Sequence, residues 1–387
     1  MIVGIDASNI RAGGGVTHLV ELLRAADPQV HGFSQVIVWS GLATLNRIDD
    51  RPWLVKIHQP ILDKSLPYRT FWQCFKLCNQ ARMVGCDVLF VPGGSYAGNF
   101  HPIVTFSQNL LPFEWRELRR YGWSFFTIKM MFLRWTQSRT FRKADGVIFL
   151  TQYAQDAVMR AIGSINGQSS IVPHGIDGRF SCPPRKQLAV NHYSDDRPFR
   201  LLYVSVIDQY KHQWHVAEAV VQLRKSGLPV ELDLVGPASP PALKRLRDKL
   251  ERVDPAGHFV RYTGAVPYAE LHTRYTEADA FVFASSCETF GQILIEAMSA
   301  GLPIACSKRS AMPELLGDAG VYFDPERPGE IAEALRSLYN QPVLRRQLAG
   351  RAYTAAQDYS WERCAQETFS FIAQVAGHRQ TAASLLK

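Results

Sequence analysis

Short runs of apolar residues alternate with stretches of helical composition along the whole chain. Several runs are apolar throughout, which is typical of strands in a parallel sheet that helices cover on both faces. The N-terminal half contains predicted strands at 2–6, 35–39, 53–58, 87–91, 102–106, 146–150 and 169–173. The C-terminal half contains predicted strands at 199–206, 230–236, 259–264, 280–285, 303–307 and 320–323. Two such series predict an α/β fold with two doubly wound, Rossmann-like domains that face each other across a cleft.

The boundary between the predicted domains falls near residues 177–198, where two prolines and a polar stretch interrupt the periodicity. We therefore assign 1–180 to an N-terminal domain and 195–358 to a C-terminal domain. The terminal segment 360–387 has helical composition with apolar anchors, and we expect it to pack back on the N-terminal domain. Because parallel sheets bind ligands at the carboxyl ends of their strands, we expect the chemistry in the loops that follow strands.

The segment 280–307 reads as a strand, a loop, a helix and a second strand, and it carries two glutamates. Glu288 lies in the loop, Gly291 opens the helix and Glu296 falls on its second turn. The first N–H groups of a helix lack internal partners and suit a phosphate, which a glycine lets approach closely. Either glutamate alone would be an ordinary solvated acid, but apolar neighbours surround Glu296. Together they predict a sugar-diphosphate site, with Glu288 on the sugar hydroxyls and Glu296 on the ribose.

The stretch ETFGQILIEAMSAGLPI, at 288–304, resembles the glutamate-x-Phe-Gly-x4-Glu motif of retaining glycosyltransferases of family 4, which have the GT-B fold. Further matches follow in the family's order: GGG at 13–15, VPHGID at 172–177, SVIDQYKH at 205–212 and YTGAV at 262–266. The resemblance implies that the N-terminal domain lies on the acceptor side and that the C-terminal domain binds a nucleotide sugar. It implies catalytic roles for Glu288 and Lys211. The donor contacts that it implies are Gly14, Gly15, Ser205, Val266, Phe290, Gly291, Gln292, Ile293 and Glu296.

Two positions depart from the family pattern. Ser205 and Val206 stand where the family has Gly-Arg, so Lys211 is the one cation of the usual pair that is kept. Asn109 lies where a His-Asp pair is common, and its amide cannot shuttle a proton at neutral pH. Asn109 and His174 are candidate acceptor or cleft residues, although His174 also fits a strand-end histidine that a backbone group satisfies.

The predicted reaction is transfer of a hexosyl group from a nucleoside-diphosphate sugar, GDP-mannose or a UDP-sugar, to a hydroxyl with retention of configuration. The sequence contains no Asp-x-Asp motif, so we expect no metal site and no cofactor beyond the donor substrate. Two alternatives stay open: a sugar-nucleotide epimerase on a related scaffold, and a sugar-nucleotide-binding protein that has lost catalysis. A nicotinamide dehydrogenase is disfavoured, because no Gly-x-Gly-x-x-Gly follows a predicted strand.

Positive charge is concentrated in the N-terminal half. Residues 1–180 hold 19 Lys and Arg against 12 Asp and Glu, which is +7 of the net +8. The stretch 112–143 holds eight of these cations among large aromatic residues, a combination that suits an anionic membrane surface. The alternative is a helix whose aromatics pack on the sheet. Docking would suggest a lipid-linked glycan as the acceptor, as in cell-surface polysaccharide synthesis.

The remaining features exclude several classes of protein. No nucleic-acid-binding motif accompanies the charge, so a nucleic-acid partner is not expected. The N-terminus lacks a secretory pattern, and no run approaches the roughly 18 apolar residues of a membrane-spanning helix. The seven scattered cysteines fit reduced thiols. We therefore expect a cytoplasmic protein, peripheral on the inner face of the membrane.

Overall fold

The computed structural model describes residues 1–385. They form two compact units. The N-terminal unit consists of Met1–Leu118, Gly122–Gly175 and the chain from Ser360 onward, and the C-terminal unit consists of Arg119–Tyr121 and Ile176–Tyr359. The polypeptide therefore passes between the units on either side of Arg119–Tyr121, near Gly175 and again near Tyr359, and the segment 177–198 belongs with the C-terminal unit.

The N-terminal unit is built on a parallel sheet in the order β3-β2-β1-β4-β5-β6-β7. Its strands are β1 (Ile2–Asp6), β2 (Gln35–Ser40), β3 (Leu54–His58), β4 (Val88–Val91), β5 (Ile103–Phe106), β6 (Gly146–Phe149) and β7 (Gln168–Ile171). Its helices are α1 (Gly14–Ala25), α2 (Leu42–Leu45), α3 (Leu66–Phe75), α4 (Leu77–Met83), α5 (Trp115–Leu118), α6 (Phe125–Lys143) and α7 (Gln152–Ile162). The central strands β4, β5 and β6 are buried along their whole length, because helices cover both faces of the sheet.

The C-terminal unit repeats this plan with a parallel sheet in the order β10-β9-β8-β11-β12-β13. Its strands are β8 (Phe199–Val204), β9 (Val230–Val235), β10 (Val260–Gly264), β11 (Ala280–Phe283), β12 (Ile304–Ser307) and β13 (Val321–Phe323). Its helices are α8 (Gln213–Lys225), α9 (Pro240–Val253), α10 (Leu271–Glu277), α11 (Gln292–Ser299), α12 (Met312–Leu316), α13 (Pro328–Asn340) and α14 (Pro342–Ala356). Every predicted strand is present, with ends that differ by at most two residues, so the predicted α/β fold is confirmed.

The strand order of each sheet reverses at one place. In the N-terminal unit it reverses between β1 and β4, and in the C-terminal unit between β8 and β11. Connections diverge at such a point and leave a crevice at the carboxyl ends of the strands, where parallel sheets bind ligands. The loops that follow β1, β4, β8 and β11 are therefore the places where this fold positions chemistry.

The last helix, α15 (Trp361–Leu385), packs on the N-terminal unit. Its Phe369 ring lies 6.1 Å from that of Phe33, and its Phe371 and Val375 lie against Gly146 of β6. A side chain at position 146 would collide with both residues, so the glycine permits the helix to approach the sheet. Among the helices of residues 1–385, none combines the length and apolar character that crossing a bilayer requires.

Candidate active site

The loops after β8 and β11 are joined at the reversal point of the C-terminal sheet. The two strands pair in parallel, so both loops leave the same edge. The N–H of Ser286 donates to the carbonyl of Tyr210 over 2.8 Å, and the Ser286 hydroxyl lies 2.9 Å from Nε2 of His212. His212 has a φ of +54° and caps α8, which turns the chain sharply after Lys211. These contacts fix the position of Lys211 relative to the loop that carries Glu288.

Lys211 and Glu288, the two predicted catalytic residues, form an ion pair. Only 4% of Lys211 is exposed, and its ammonium lies 5.2 Å from the ring centroid of Phe283 and 5.0 Å from that of Tyr210. An ammonium removed from water in this way requires a charged or polar partner, because its desolvation costs several kcal/mol. Glu288 supplies the carboxylate, and the aromatic faces add cation–π attraction. The structure therefore brings the two predicted residues into direct contact.

The backbone at Glu288 is held by a third loop, which follows β12. The Glu288 N–H donates to the hydroxyl of Ser310 over 2.9 Å, and that hydroxyl is also 2.9 Å from the Glu288 carbonyl. Ser310 has a φ of +58°, a conformation that non-glycine residues seldom adopt. Loops from three neighbouring strands thus fix Glu288 at the carboxyl edge of the sheet.

The first turn of α11 follows directly. Gly291 caps this helix with a φ of +79°, so glycine is needed for its backbone conformation, while the surrounding space would admit a Cβ. Phe290 is buried against Tyr359, with ring centroids 5.6 Å apart. Gln292 and Ile293 are half-buried on the first turn. The positive end of a helix therefore lies three residues from Glu288, as the predicted diphosphate site requires.

Glu296 lies inside the unit and is only 3% exposed. The hydroxyl of Tyr275, on α10, donates to Oε2 of this glutamate over 2.8 Å. Burial raises the pKa of Glu296 to about 7, although the Tyr275 hydrogen bond favours the charged form. Sequence reasoning did not find Tyr275, since a tyrosine on a separate short helix carries no motif. The predicted contact of Glu296 with a ribose stays a prediction.

Two other residues that are predicted to contact the donor, Ser205 and Val266, lie in the loops after β8 and β10. The Ser205 hydroxyl is buried, accepts from Nε2 of Gln213 over 2.8 Å and donates to the Val206 carbonyl over 3.0 Å. It therefore shapes the loop after β8 through its own contacts. Val266 is half-buried in the loop after β10, and β9 separates β10 from β8. The predicted contact of Val266 with the donor stays a prediction.

The remaining candidates belong to the N-terminal unit. Gly14 and Gly15 begin α1, but the glycine whose backbone needs the left-handed region is Gly13, with a φ of +67°. No heavy atom lies within 4 Å of a Cβ placed on Gly14, so its surroundings are open. Asn109 accepts the N–H of Leu111 over 3.2 Å through its side-chain oxygen, which forms a local turn. Their roles toward a donor phosphate or an acceptor stay predictions.

His174 packs in an aromatic cluster of the N-terminal unit. Its ring centroid lies 4.6 Å from that of His18 and 5.8 Å from that of Trp361. Burial lowers the pKa of His174 well below its usual value and that of His18 to about 3, so both rings are neutral at pH 7. Within residues 1–385, the one group of side chains that could hold a metal ion is His18, His174 and Cys364, whose ligand atoms lie within 4.8 Å of one another. It does not include Lys211 or Glu288.

The chain is similar to several known proteins. Residues 185–355, which lie in the C-terminal unit, match the family described as glycosyl transferases group 1. O-antigen chain mannosyltransferase B of Escherichia coli is 35% identical over 112 residues, 29% of each protein. A GDP-mannose-dependent alpha-(1-6)-phosphatidylinositol dimannoside mannosyltransferase of Mycobacterium tuberculosis is 26% identical over 250 residues, 63% of this chain and 62% of that protein. The chain thus spans less than two thirds of these relatives.

Sucrose-phosphate synthase of Thermosynechococcus elongatus has the same fold, with a TM-score of 0.74 at 20% identity over 99% of this chain and 100% of that one. Two Rossmann-like units of this kind define the GT-B class of α/β proteins. The family match is confined to residues 185–355, less than half of the chain, and shows that the C-terminal unit is similar to the glycosyl transferases of group 1. The predicted fold is confirmed, and the match supports the predicted glycosyltransferase, while retention of configuration stays a prediction.

Proposed function

We propose that this protein transfers a hexosyl group from a nucleoside-diphosphate sugar to a hydroxyl of a glycan or lipid-linked acceptor, with retention and without a metal ion. The buried Lys211–Glu288 pair, beside the glycine-opened turn of α11, is the observation that carries the proposal. GDP-mannose is the favoured donor, because two of the sequence relatives are named mannosyltransferases and one of these is named GDP-mannose-dependent.

The main barrier in such a transfer is the negative charge that develops on the departing diphosphate. Lys211 and the N–H groups of the first turn of α11 would stabilise that charge, and their effect is large because they are fixed before the reaction begins. Glu288 would orient the sugar hydroxyls, and Glu296 would accept from the ribose. When the diphosphate binds, Lys211 exchanges its contact with Glu288 for a phosphate oxygen, and Glu288 becomes available to the sugar.

The proposal is tested with purified Lys211→Ala and Glu296→Ala variants and a panel of GDP- and UDP-sugars. Release of nucleoside diphosphate and formation of glycosylated product are measured in excess EDTA. We expect both variants to lose at least 100-fold in kcat/KM while their circular dichroism is unchanged. Lys249→Ala is a matched control, because Lys249 is paired with Glu218 on the surface of the same unit. Full activity of both variants would refute the assignment.

The same panel separates the alternatives. An epimerase would interconvert the free donor without an acceptor, which an NMR time course detects. A protein that has lost catalysis would bind a nucleotide sugar, as a thermal shift reveals, but would form no product with any donor and acceptor. Transfer by the unmodified protein excludes both.

We also propose that the N-terminal unit docks on an anionic membrane through α6 and the residues before it. The face of α6 that packs on the unit includes Thr127, Gln137 and Phe141. Its opposite face is aromatic and exposed, with Phe125 at 83% and Phe132 and Trp135 at 60%. An amphipathic helix of a water-facing unit normally has the reverse pattern, so this face suits a lipid interface.

Cations and a second helix extend the same surface. Lys129, Arg139 and Lys143 of α6 are exposed. Helix α3 exposes Phe71 and Phe75. Both helices bond to the same loop: Gln73 of α3 donates to the Ser95 carbonyl, and Thr140 of α6 accepts the Tyr96 N–H. The two helices are therefore neighbours in the N-terminal unit.

Co-sedimentation with vesicles of phosphatidylglycerol and phosphatidylcholine tests the docking surface. We expect Phe132→Ser/Trp135→Ser to reduce binding at least 10-fold. Val343→Ser, which removes an exposed apolar residue of the C-terminal unit, should have no effect. Equal binding of the aromatic double variant and the unmodified protein would contradict the proposal, which also implies a cytoplasmic, membrane-peripheral protein.

A further inference from the structure

Two arginines join the loop after β1 to the segment that leads into α3. The guanidinium of Arg11 donates to the carbonyls of Lys64 and Asp63 over 3.1 and 3.3 Å. The guanidinium of Arg69, on the first turn of α3, donates to the carbonyl of Ser8 over 3.2 Å and to the side-chain oxygen of Asn9 over 3.1 Å. The loop after β1 lies at the reversal point of the N-terminal sheet, where this fold binds ligands.

Among the described residues no ion pair joins Arg11, Arg69 or Lys64 to a carboxylate, although the charge of Arg11, after the hydrogen bond from His58, helps to lower the pKa of Asp63. The nearest acid along the chain, Asp63, is engaged elsewhere: it lies 2.6 Å from Nε2 of His58 and accepts the N–H of Leu42 over 2.9 Å. The Nε atom of Arg69 is buried and meets no acceptor. Burial and the neighbouring charge of Arg11 both lower the pKa of Arg69.

The start of α3 adds to this positive potential. Ser65 occupies its N-cap position but makes no side-chain hydrogen bond to the helix, and the first turn contains no acidic residue. Ser65 and Leu66 are exposed. The N-terminus of a helix carries partial positive charge and normally attracts acidic side chains. Three cations near this end make it a favourable place for an anion.

We propose that Arg11, Lys64 and Arg69, with the first turn of α3, bind a phosphate group of the acceptor. This inference rests on the proposed transferase function, since it concerns the second substrate of the same reaction. Arginine provides paired N–H donors that match phosphate oxygens, and Lys64 adds a point charge. Tyr68 and Phe71 of α3 are exposed beside the cluster and would contact the group attached to the phosphate. The phosphate belongs either to a lipid-linked acceptor or to a soluble sugar phosphate.

Binding of geranyl diphosphate and of inorganic pyrophosphate to the full-length protein, measured by calorimetry, tests the site. We expect Arg11→Gln and Arg69→Gln each to weaken binding at least 10-fold. Arg47→Gln, on the surface of the same unit, should leave it within twofold, and excess GDP keeps the donor site occupied in every measurement. Arg69→Lys keeps the charge and should restore part of the affinity lost in Arg69→Gln, which separates phosphate binding from a loss of folding.

The two probes distinguish the sources of the phosphate. Binding of both probes, lost in both arginine variants, supports recognition of the phosphate itself. Binding of geranyl diphosphate alone, with the same losses, assigns the site to a lipid-linked acceptor, and binding of pyrophosphate alone assigns it to a soluble one. Unchanged binding in both arginine variants overturns the inference. The proposed function fails separately, if Lys211→Ala and Glu296→Ala remain fully active in transfer.

Discussion

Replacement of Tyr275 by phenylalanine isolates one hydrogen bond at the predicted ribose contact. Tyr275 is fully buried, and its hydroxyl donates to Oε2 of Glu296 over 2.8 Å. The substitution removes one oxygen and leaves the ring, which packs on Phe281 with centroids 5.7 Å apart. The expected effect is therefore confined to Glu296.

The free energy lost with this hydrogen bond depends on whether the Glu296 carboxyl group, which accepts it, is charged. A hydrogen bond to a charged group contributes about 1.5–3 kcal/mol, and one between neutral groups contributes about 1 kcal/mol. The difference between the two, about 0.5–2 kcal/mol, is the part that shifts the pKa. At about 1.36 kcal/mol per pKa unit, loss of the Tyr275 hydroxyl should therefore raise the pKa of Glu296 by about 0.4 to 1.5 from its present value of about 7.

The sign of the pH dependence is set by the raised pKa. Because the folded protein holds this proton up to a pH of about 7 and the unfolded chain releases it near 4.5, the contribution of Glu296 to stability is present below pH 4.5 and declines as pH rises through 7. Tyr275→Phe should therefore cost about 1 kcal/mol at pH 5.5 and about 2–3 kcal/mol at pH 8.5.

Urea unfolding of the C-terminal unit at pH 5.5 and 8.5, followed by fluorescence, measures these costs. Tyr262→Phe is the matched control, because the Tyr262 hydroxyl donates to the uncharged carbonyl of Gly236 over 3.0 Å. Its cost should be the same at both pH values. If Tyr275→Phe costs the same at both values, or less at pH 8.5, the reasoning about a buried, ionisable Glu296 is refuted.

Three further predictions concern the same site. Glu288→Gln should destabilise the protein by about 3 kcal/mol in thermal unfolding, because it leaves the buried Lys211 ammonium without its anion. The double variant Lys211→Met/Glu288→Leu should recover most of that stability but should not restore transfer. Gly291→Ala should lower the free energy of unfolding by about 1–2 kcal/mol, because the φ of +79° at this position is unfavourable for an L-residue. Gly14→Ala should leave the free energy of unfolding unchanged, and equal effects of the two substitutions in urea unfolding would contradict this prediction. Turnover should be unchanged in excess EDTA, and an absolute requirement for added Mn²⁺ or Mg²⁺ would be the contrary result.

Much of the fold could be predicted because its signals are local. Strands covered on both faces are short apolar runs, and every such run along the chain became a strand of one of the two parallel sheets. The secondary structure of the segment 280–307 could be predicted for the same reason, because a strand, a glycine-opened helix and a second strand follow one another without interruption. Glu288 lies in the loop directly after the first strand of this segment, so it is fixed at the carboxyl edge of the sheet.

Contacts between distant segments could not be predicted in this way. Nothing near Glu296 indicates that a tyrosine 21 residues earlier donates to it, and no pattern links Arg11 to the carbonyl of Lys64. The amino-acid types were visible, but the partner of each side chain depends on strand order, which a single sequence specifies only weakly. The exposed aromatic face of α6 could be predicted only in part. The sequence shows that the helix is rich in aromatic residues, but it does not show which of them face away from the sheet.

The Lys211–Glu288 pair shows why partners matter for mechanism. The motif assigned the lysine to the diphosphate and the glutamate to the sugar, as if the two acted separately. Their contact gives a reason for both to be present before the donor arrives: each compensates the charge that the other would otherwise leave unpaired in a dry site. A diphosphate that replaces Glu288 at the ammonium keeps that compensation and frees the carboxylate at the position of the sugar. The same exchange makes an uncharged ligand a poor competitor, because it would separate the pair without replacing the anion.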